Sequence, residues 1–318
     1  MTAPPLRIVF FGTPDFAVPS LDAVIRSRHE LVALVSQPDR PKGRGQQVQV
    51  TPTKAAAAAH GIPVLQPSKI RDEAFLQQIR DFGPDLGIVV AFGRLLPDAL
   101  LAIPRLGMIN VHASILPRYR GAAPIQRAVL AGDGETGVTI MRVITEMDAG
   151  PTFAVATVPI PADATSADMA VTLAQLGAEL LLPVVEDLAA GRAVETPQDD
   201  ALATHAAKIS KAESAIDWSE PAAVVHNKVR GLQPWPLAST RLAGERLVLR
   251  RTSPFGADLP PGSPPGRILR AEGDELIVAC GAGTALRVLD IQPEGRRAMT
   301  AREFMAGRGV TEGARFEP

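Results

Sequence analysis

Over the first 190 residues, short unbroken apolar runs alternate with longer amphipathic stretches. Leu6–Phe11 is the first run, of strand length and suited to burial on both faces. Gly12-Thr13-Pro14-Asp15 follows as a turn, with Thr13 or Asp15 able to cap the next helix. Leu31–Val35, Ile62–Leu65, Leu86–Phe92 and Met108–His112 are further strand-length runs, with helices expected over Thr53–His60 and Asp72–Phe82. Val138–Val143 and Thr152–Ile160 read as a hairpin with a turn at Asp148-Ala149-Gly150, and Ser166–Ala189 as a long helix. This alternation predicts an α/β fold with a doubly wound, mostly parallel sheet. On such sheets ligands sit at the carboxyl ends of the strands.

The texture changes after Gly191. Residues 191–206 are polar, lack a clear period and read as a linker. Glu220–Arg230 is one more amphipathic helix. Short strands follow at Ala238–Leu242, Arg246–Arg251, Gly266–Glu272, Glu275–Ala279 and Ala285–Gln292, separated by Gly- and Pro-rich turns such as Pro254–Pro265. That spacing predicts a small β-barrel or sandwich. The expected organisation is a domain over 1–190, a linker over 191–206 and a smaller domain over 207–318.

Composition adds limits. With 46% hydrophobic and 21% charged residues, the chain can bury a core. Its net charge of −1 hides an asymmetry: residues 1–204 carry 17 basic and 21 acidic side chains, residues 205–318 carry 16 and 13. A uniformly basic nucleic-acid coat is excluded, a local basic patch is not. The single cysteine, Cys280, excludes an internal disulfide framework, and five scattered histidines show no metal-ligand spacing, so no metal is expected. No uninterrupted apolar stretch approaches about 18 residues, so no membrane span is expected. A reducing cytoplasm is the expected location.

Four segments are candidates for chemistry. The turn at Gly12 lacks the G-x-G-x-x-G pattern, which disfavours a dinucleotide and leaves an ordinary strand-to-helix turn. The stretch Gln37–Thr53 is long for such a connection and carries Arg40, Lys42 and Arg44 on a glycine-containing loop, a composition suited to phosphates. Asn110 and His112 stand two apart at the end of a predicted strand and so share a face. Asn offers an amide donor and His a donor or proton carrier, as acyl-type transfer through an oxyanion requires. Asp148 could orient that histidine. No serine or cysteine sits in a nucleophile context, which favours direct transfer between two bound substrates. Taken singly, each residue reads more readily as ordinary structure: a core histidine, a turn asparagine, a turn aspartate, a solvated loop.

Together they resemble one family. The run NVHASILPRYRGAAPIQ is similar to the N-x-H-x-S-L-L-P-x-x-R-G signature of the 10-formyltetrahydrofolate-dependent formyltransferases. That resemblance implies a Rossmann-like catalytic domain and a C-terminal OB-like β-barrel. It implies Asn110, His112 and Asp148 as the catalytic trio, with Ser114, Ile115, Leu116 and Pro117 contacting 10-formyltetrahydrofolate and Phe92 and Gly93 beside it. QPDRPKGRG, GTPDFA, GDGETGVTIM, KISKAESAIDW and LQPWP resemble the members that act on methionyl initiator tRNA. They imply that Arg40, Lys42, Arg44, Lys208 and Lys211 meet that RNA. The one departure is Gln46-Gln47, where lysines are frequent in those members. A monomer without a metal is expected. The rivals within the family are transfer to an amino-sugar nucleotide and hydrolysis of the formyl donor.

Overall fold

The computed structural model describes residues 4–42, 47–256 and 263–318. The chain folds as two compact units, one of Met1–Pro124, Glu135–Val158 and Ala170–Ala206, the other of Ile125–Gly134, Pro159–Met169 and Ala207–Pro318. Up to residue 189 the elements are β1 (Arg7–Gly12), α1 (Val18–Arg26), β2 (Glu30–Val35), β3 (Arg40–Lys42), β4 (Gln47–Gln49), α2 (Pro52–Ala59), β5 (Val64–Leu65), α3 (Glu73–Asp81), β6 (Leu86–Val90), α4 (Asp98–Leu101), β7 (Met108–His112), β8 (Arg120–Gly121), α5 (Pro124–Ala131), β9 (Glu135–Arg142), β10 (Thr152–Pro159) and α6 (Ser166–Ala189). Beyond them come β11 (His205–Ala206), α7 (Ala222–Gly231), β12 (Ala238–Leu242), β13 (Glu245–Phe255), β14 (Ile268–Glu272), β15 (Glu275–Ala279), β16 (Ala285–Pro293), β17 (Met299–Thr300), α8 (Ala301–Arg308) and β18 (Phe316–Glu317).

The main sheet of the first unit has the order β10-β9-β7-β6-β1-β2-β5. β1 is parallel to β2 and β6, β6 to β7, and β2 to β5, whereas β9 runs antiparallel to β7. The central strands are covered on both faces, which is why they read as unbroken apolar runs. One face packs Val9, Phe11, Ala33, Val35 and Met108 against Phe75, Leu76 and Ile79 of α3. On the other face Gly177 of α6 closes on Val111, where a Cβ would stand 2.7 Å from the valine methyl. Among the described residues α6 is the one helix with the length and apolarity to cross a membrane, on length and composition alone. Here Leu173, Leu181 and Val185 on it are fully buried.

After β5 the chain crosses to the other side of β1, so the strand order reverses between β1 and β6. That reversal opens a crevice beyond the carboxyl ends of β1, β6 and β7, which end at Gly12, Val90 and His112.

The sheet of the second unit is antiparallel, in the order β14-β15-β16-β13-β12-β18, with β17 on β16. It curls into a half-barrel whose ends meet where Ile268 N–H donates to Ala314 and Phe316 N–H to Gly266, both at 2.8 Å. Trp218 stacks on Phe316 inside it, with ring centroids 5.5 Å apart.

Three segments differ from expectation. The stretch Gln37–Thr53 is not all loop: β3 and β4 pair as an antiparallel hairpin, with Arg40 opposite Gln49. β13 continues through Pro254, expected as the start of a turn, because beyond Leu249 it pairs with β16 alone and its other edge needs no proline N–H. Residues 196–206 are bonded to the first unit rather than slack: Thr196 exchanges two backbone bonds with Thr152, and β11 pairs in parallel with β8.

Candidate functional site

Asn110 and His112 project from the same face of β7 as Met108, continuing past the core to the strand's carboxyl end. His112 is 5% exposed. Its Nε2 lies 3.0 Å from the carbonyl oxygen of Tyr119. A carbonyl only accepts, so Nε2 carries the proton and Nδ1 is the nitrogen left for chemistry. Nδ1 lies 3.7 Å from Oδ2 of Asp148. Residues 36 positions apart, which spacing alone could not connect, thus meet, a buried His112 beside a half-buried Asp148. The turn after β9 brings Asp148 there in a left-handed conformation, φ +53°. Its Oδ2 accepts the N–H of Gly121 at 2.8 Å. The side chain of Asn110 is half-buried and makes no hydrogen bond among the described residues, which leaves its amide free to donate.

Ser114 is fully buried and its hydroxyl donates to the Arg118 carbonyl at 2.6 Å. Leu116 is buried, and its N–H donates to Thr139, whose hydroxyl donates in turn to the Ser114 carbonyl. The hydroxyls of Ser114 and Thr139 therefore hold the loop in shape, while Ile115 and Pro117 stay half-buried in it. The Leu116–Pro117 peptide is cis. Phe92 is a core residue, packed edge-on against Phe11 at 5.5 Å. Gly93 is exposed at φ +81°, and nothing stands within 4 Å of where a Cβ would be. A flat ligand can thus reach the backbone there.

The root of the β3–β4 hairpin is polar and firmly held. Lys54 bonds Asp39 at 2.5 Å and Gln66 at 2.7 Å, and Gln66 bonds the Gln37 carbonyl at 2.8 Å. The Lys54 ammonium, then Gln66, hold the Asp39 carboxyl below the usual range. Asp39 is therefore spent on Lys54, and Arg40 stands exposed with no ion pair among the described residues. Lys42 ends β3, and Arg44 lies outside the described residues. Lys208 and Lys211 belong to the second unit, both exposed and without an ion pair among the described residues. Lys211 opens a turn capped reciprocally by Ser210 and Glu213.

Sequence reasoning missed Tyr119, Arg120, Gln198 and Thr204. Thr204 accepts the N–H of Tyr119 at 2.8 Å. Gln198 donates to the carbonyls of Asp148 and Gly150 and accepts from Arg120. No spacing signals such contacts, because Gln198 sits in an aperiodic polar stretch. Among the described residues no group of three His, Cys, Asp or Glu is placed to hold a metal ion.

The comparisons agree with this architecture. The family described as formyl transferase matches residues 6–185, and its C-terminal domain matches residues 208–309. The chain is 45% identical over 311 residues to the methionyl-tRNA formyltransferase of Moorella thermoacetica, covering 97% of this chain and 98% of that protein. It is 47% identical over 300 residues to the methionyl-tRNA formyltransferase of Methylococcus capsulatus, covering 94% and 96%. Among solved structures, WlaRD, a sugar 3N-formyl transferase determined in the presence of dTDP and 5-N-formyl-THF, superposes with a TM-score of 0.68 at 16% identity, covering 92% of this chain and 99% of that one. That likeness is one of fold.

Proposed function

Because this chain belongs to the formyl transferase family, we propose that it moves the formyl group of 10-formyltetrahydrofolate directly to the α-amine of methionyl initiator tRNA, giving formyl-methionyl-tRNA for translation initiation. The observation that carries the mechanism is the contact between the buried His112 and the half-buried Asp148 at the carboxyl end of β7. The folate supplies a formyl group on an aryl nitrogen, already activated as a leaving group. The new C–N bond forms as the bond to N10 breaks, and the proton lost by the amine ends on N10.

Each step falls to a group already positioned. Asn110, with its unpartnered amide, and Nδ1–H of protonated His112 donate to the negative charge that develops on the formyl oxygen. Donors fixed before the reaction cost no reorganisation during it. Asp148 keeps Oδ2 on Gly121 and presents Oδ1, which has no protein partner among the described residues, to the proton of the attacking amine. The neighbourhood fits a folate: an open backbone at Gly93, the half-buried Ile115 and Pro117, and an inward Ser114 and Leu116 that shape the loop. Phe92 contributes as a wall of the core rather than as a contact.

We assign residues 1–190 to catalysis, 191–206 to the connection and 207–318 to assisting tRNA binding. Arg40, Lys42 and Arg44, with Lys208 and Lys211, are the proposed phosphate contacts. The reaction belongs in the cytoplasm, with the protein a monomer and no metal involved. The test is product identity. The protein is incubated with 10-formyltetrahydrofolate and, separately, charged initiator tRNA, an amino-sugar nucleotide or buffer. Acid-stable formyl-methionine in the tRNA arm alone supports the reading. Formylated sugar or released formate without tRNA product would replace it.

A further inference from the structure

We infer that the segment from Thr196 to Ala206, acting through Gln198 and Arg120, is a positioning element that sets the geometry of His112 and Asp148, an inference that rests on the catalytic reading of that pair.

Three backbone groups present the pair. The Tyr119 carbonyl accepts a hydrogen bond from the N–H at His112 Nε2, the Gly121 N–H holds Asp148 Oδ2, and the turn at Asp148 carries the carboxylate itself. All three lie at positive φ: +62° at Tyr119, +123° at Gly121 and +53° at Asp148. Non-glycine residues hold such conformations only where the surroundings impose them. Gly121 adopts its φ freely, whereas Tyr119 and Asp148 need support, and the contacts that brace all three come from the same segment. Thr204 takes the N–H of Tyr119 at 2.8 Å and, through its own carbonyl, the N–H of Arg120 at 2.9 Å. The Ala206 carbonyl takes the N–H groups of Ala122 and Ala123, and stands 2.8 Å from where a Cβ on Gly121 would be. Gln198 Nε2 spans the third turn, at 2.8 Å from the Asp148 carbonyl and 2.7 Å from the Gly150 carbonyl.

The direction of the Gln198 amide is fixed. Arg120 can only donate, and its Nε and Nη2 lie 3.0 and 2.8 Å from Gln198 Oε1. The amino group must therefore face the two carbonyls. Arg120 is held in turn by Asp200 at 2.7 Å. Arg120 also lies between Tyr119 and Gly121, so one side chain and its two flanking peptides tie the segment to both members of the pair. None of these groups touches Asp148 Oδ1 or His112 Nδ1, which stay free for substrate.

The test compares Gln198→Ala and Gln198→Glu with wild type in formyl transfer. Both should lose about 10- to 100-fold in kcat, with KM for folate and tRNA little changed. The glutamate variant is the discriminating one. It fills the same space and still accepts from Arg120, but turns an acceptor toward two carbonyls. Wild-type kcat in Gln198→Glu would overturn the inference. In an Asp148→Asn background, Gln198→Ala should cost little further; an equal loss in both backgrounds would overturn it, because the two residues would then act independently. Should Gln198→Ala fail to fold, Arg120→Lys tests the same link, since one ammonium cannot reproduce the fork to Gln198 and Asp200. A readout without catalysis is the ¹⁵N signature of the His112 ring, expected to shift in Gln198→Glu; an unshifted ring would overturn the inference. If wild type made no formyl-methionine, the functional reading would fail while the ring signature still tested the positioning.

Discussion

At the residue scale, the proposed site divides into groups assigned to the chemistry and groups that hold them. Asp148→Asn keeps the size of the side chain and the contact with Gly121 but removes the proton acceptor. It should lower kcat by about 10²- to 10⁴-fold with an unchanged circular dichroism spectrum and melting point. Near-normal turnover would remove Asp148 from the mechanism. A second residue-scale expectation concerns stability. His29 is buried with Nδ1 accepting the Leu6 N–H at 3.0 Å, so that nitrogen is unprotonated in the fold. Its Nε2 stands 3.2 Å from Glu186, a contact without hydrogen-bond alignment, and Arg28 shares the same carboxylate. Burial, against Glu186, lowers the pKa of His29 from its ordinary 6.5. The unfolded chain therefore binds the proton more readily, and the stability contribution is full above about pH 6.5 and falls as pH drops through the folded pKa. The urea midpoint should decline between about pH 7 and 5 more steeply in wild type than in His29→Gln; parallel curves would contradict this assignment.

At the element scale, the strands were legible because both-face burial leaves unbroken apolar runs, and α6 was legible because its pattern is long. The β3–β4 hairpin was missed although Gln47-Val48-Gln49-Val50 alternates with period two, because both of its valines are exposed and no core reads them. α8 was missed although Thr300 and Glu303 spell a capping box, with the Thr300 N–H on the Glu303 carboxylate at 2.9 Å. Thr300→Ala should cost about 0.5–2 kcal/mol of stability, measured by urea unfolding, without changing the reaction. The pairing of β8 with β11 had no signal, since two residues a side carry no period. The hairpin makes its own prediction. Arg40→Ala should raise KM for tRNA and reduce the salt dependence of tRNA binding by about one charge, leaving folate affinity untouched. A fall in folate affinity would place the hairpin at the wrong ligand.

At the scale of the whole molecule, the near-zero net charge averages an acidic first part and a mildly basic second one. Local cations, not the total, carry the reading of an RNA partner. Cys280, the single cysteine, is buried in the second unit with its thiol pushed up to about 12 by desolvation, far from the thiolate a covalent route would need. That burial fits the direct transfer proposed above. Candidate residues that share a strand, such as Asn110 and His112, could be paired from sequence. That Asp148, itself a candidate from sequence, meets His112 from a distant turn, and which segment holds that turn, needed the fold.

The most direct test of the account is single-turnover transfer from 10-formyltetrahydrofolate to methionyl initiator tRNA by wild type and His112→Ala side by side. The account predicts rapid formation of acid-stable formyl-methionine by the wild type and a rate lower by orders of magnitude in the folded variant. Equal rates in the two proteins, or no formyl-methionine from the wild type, would contradict it.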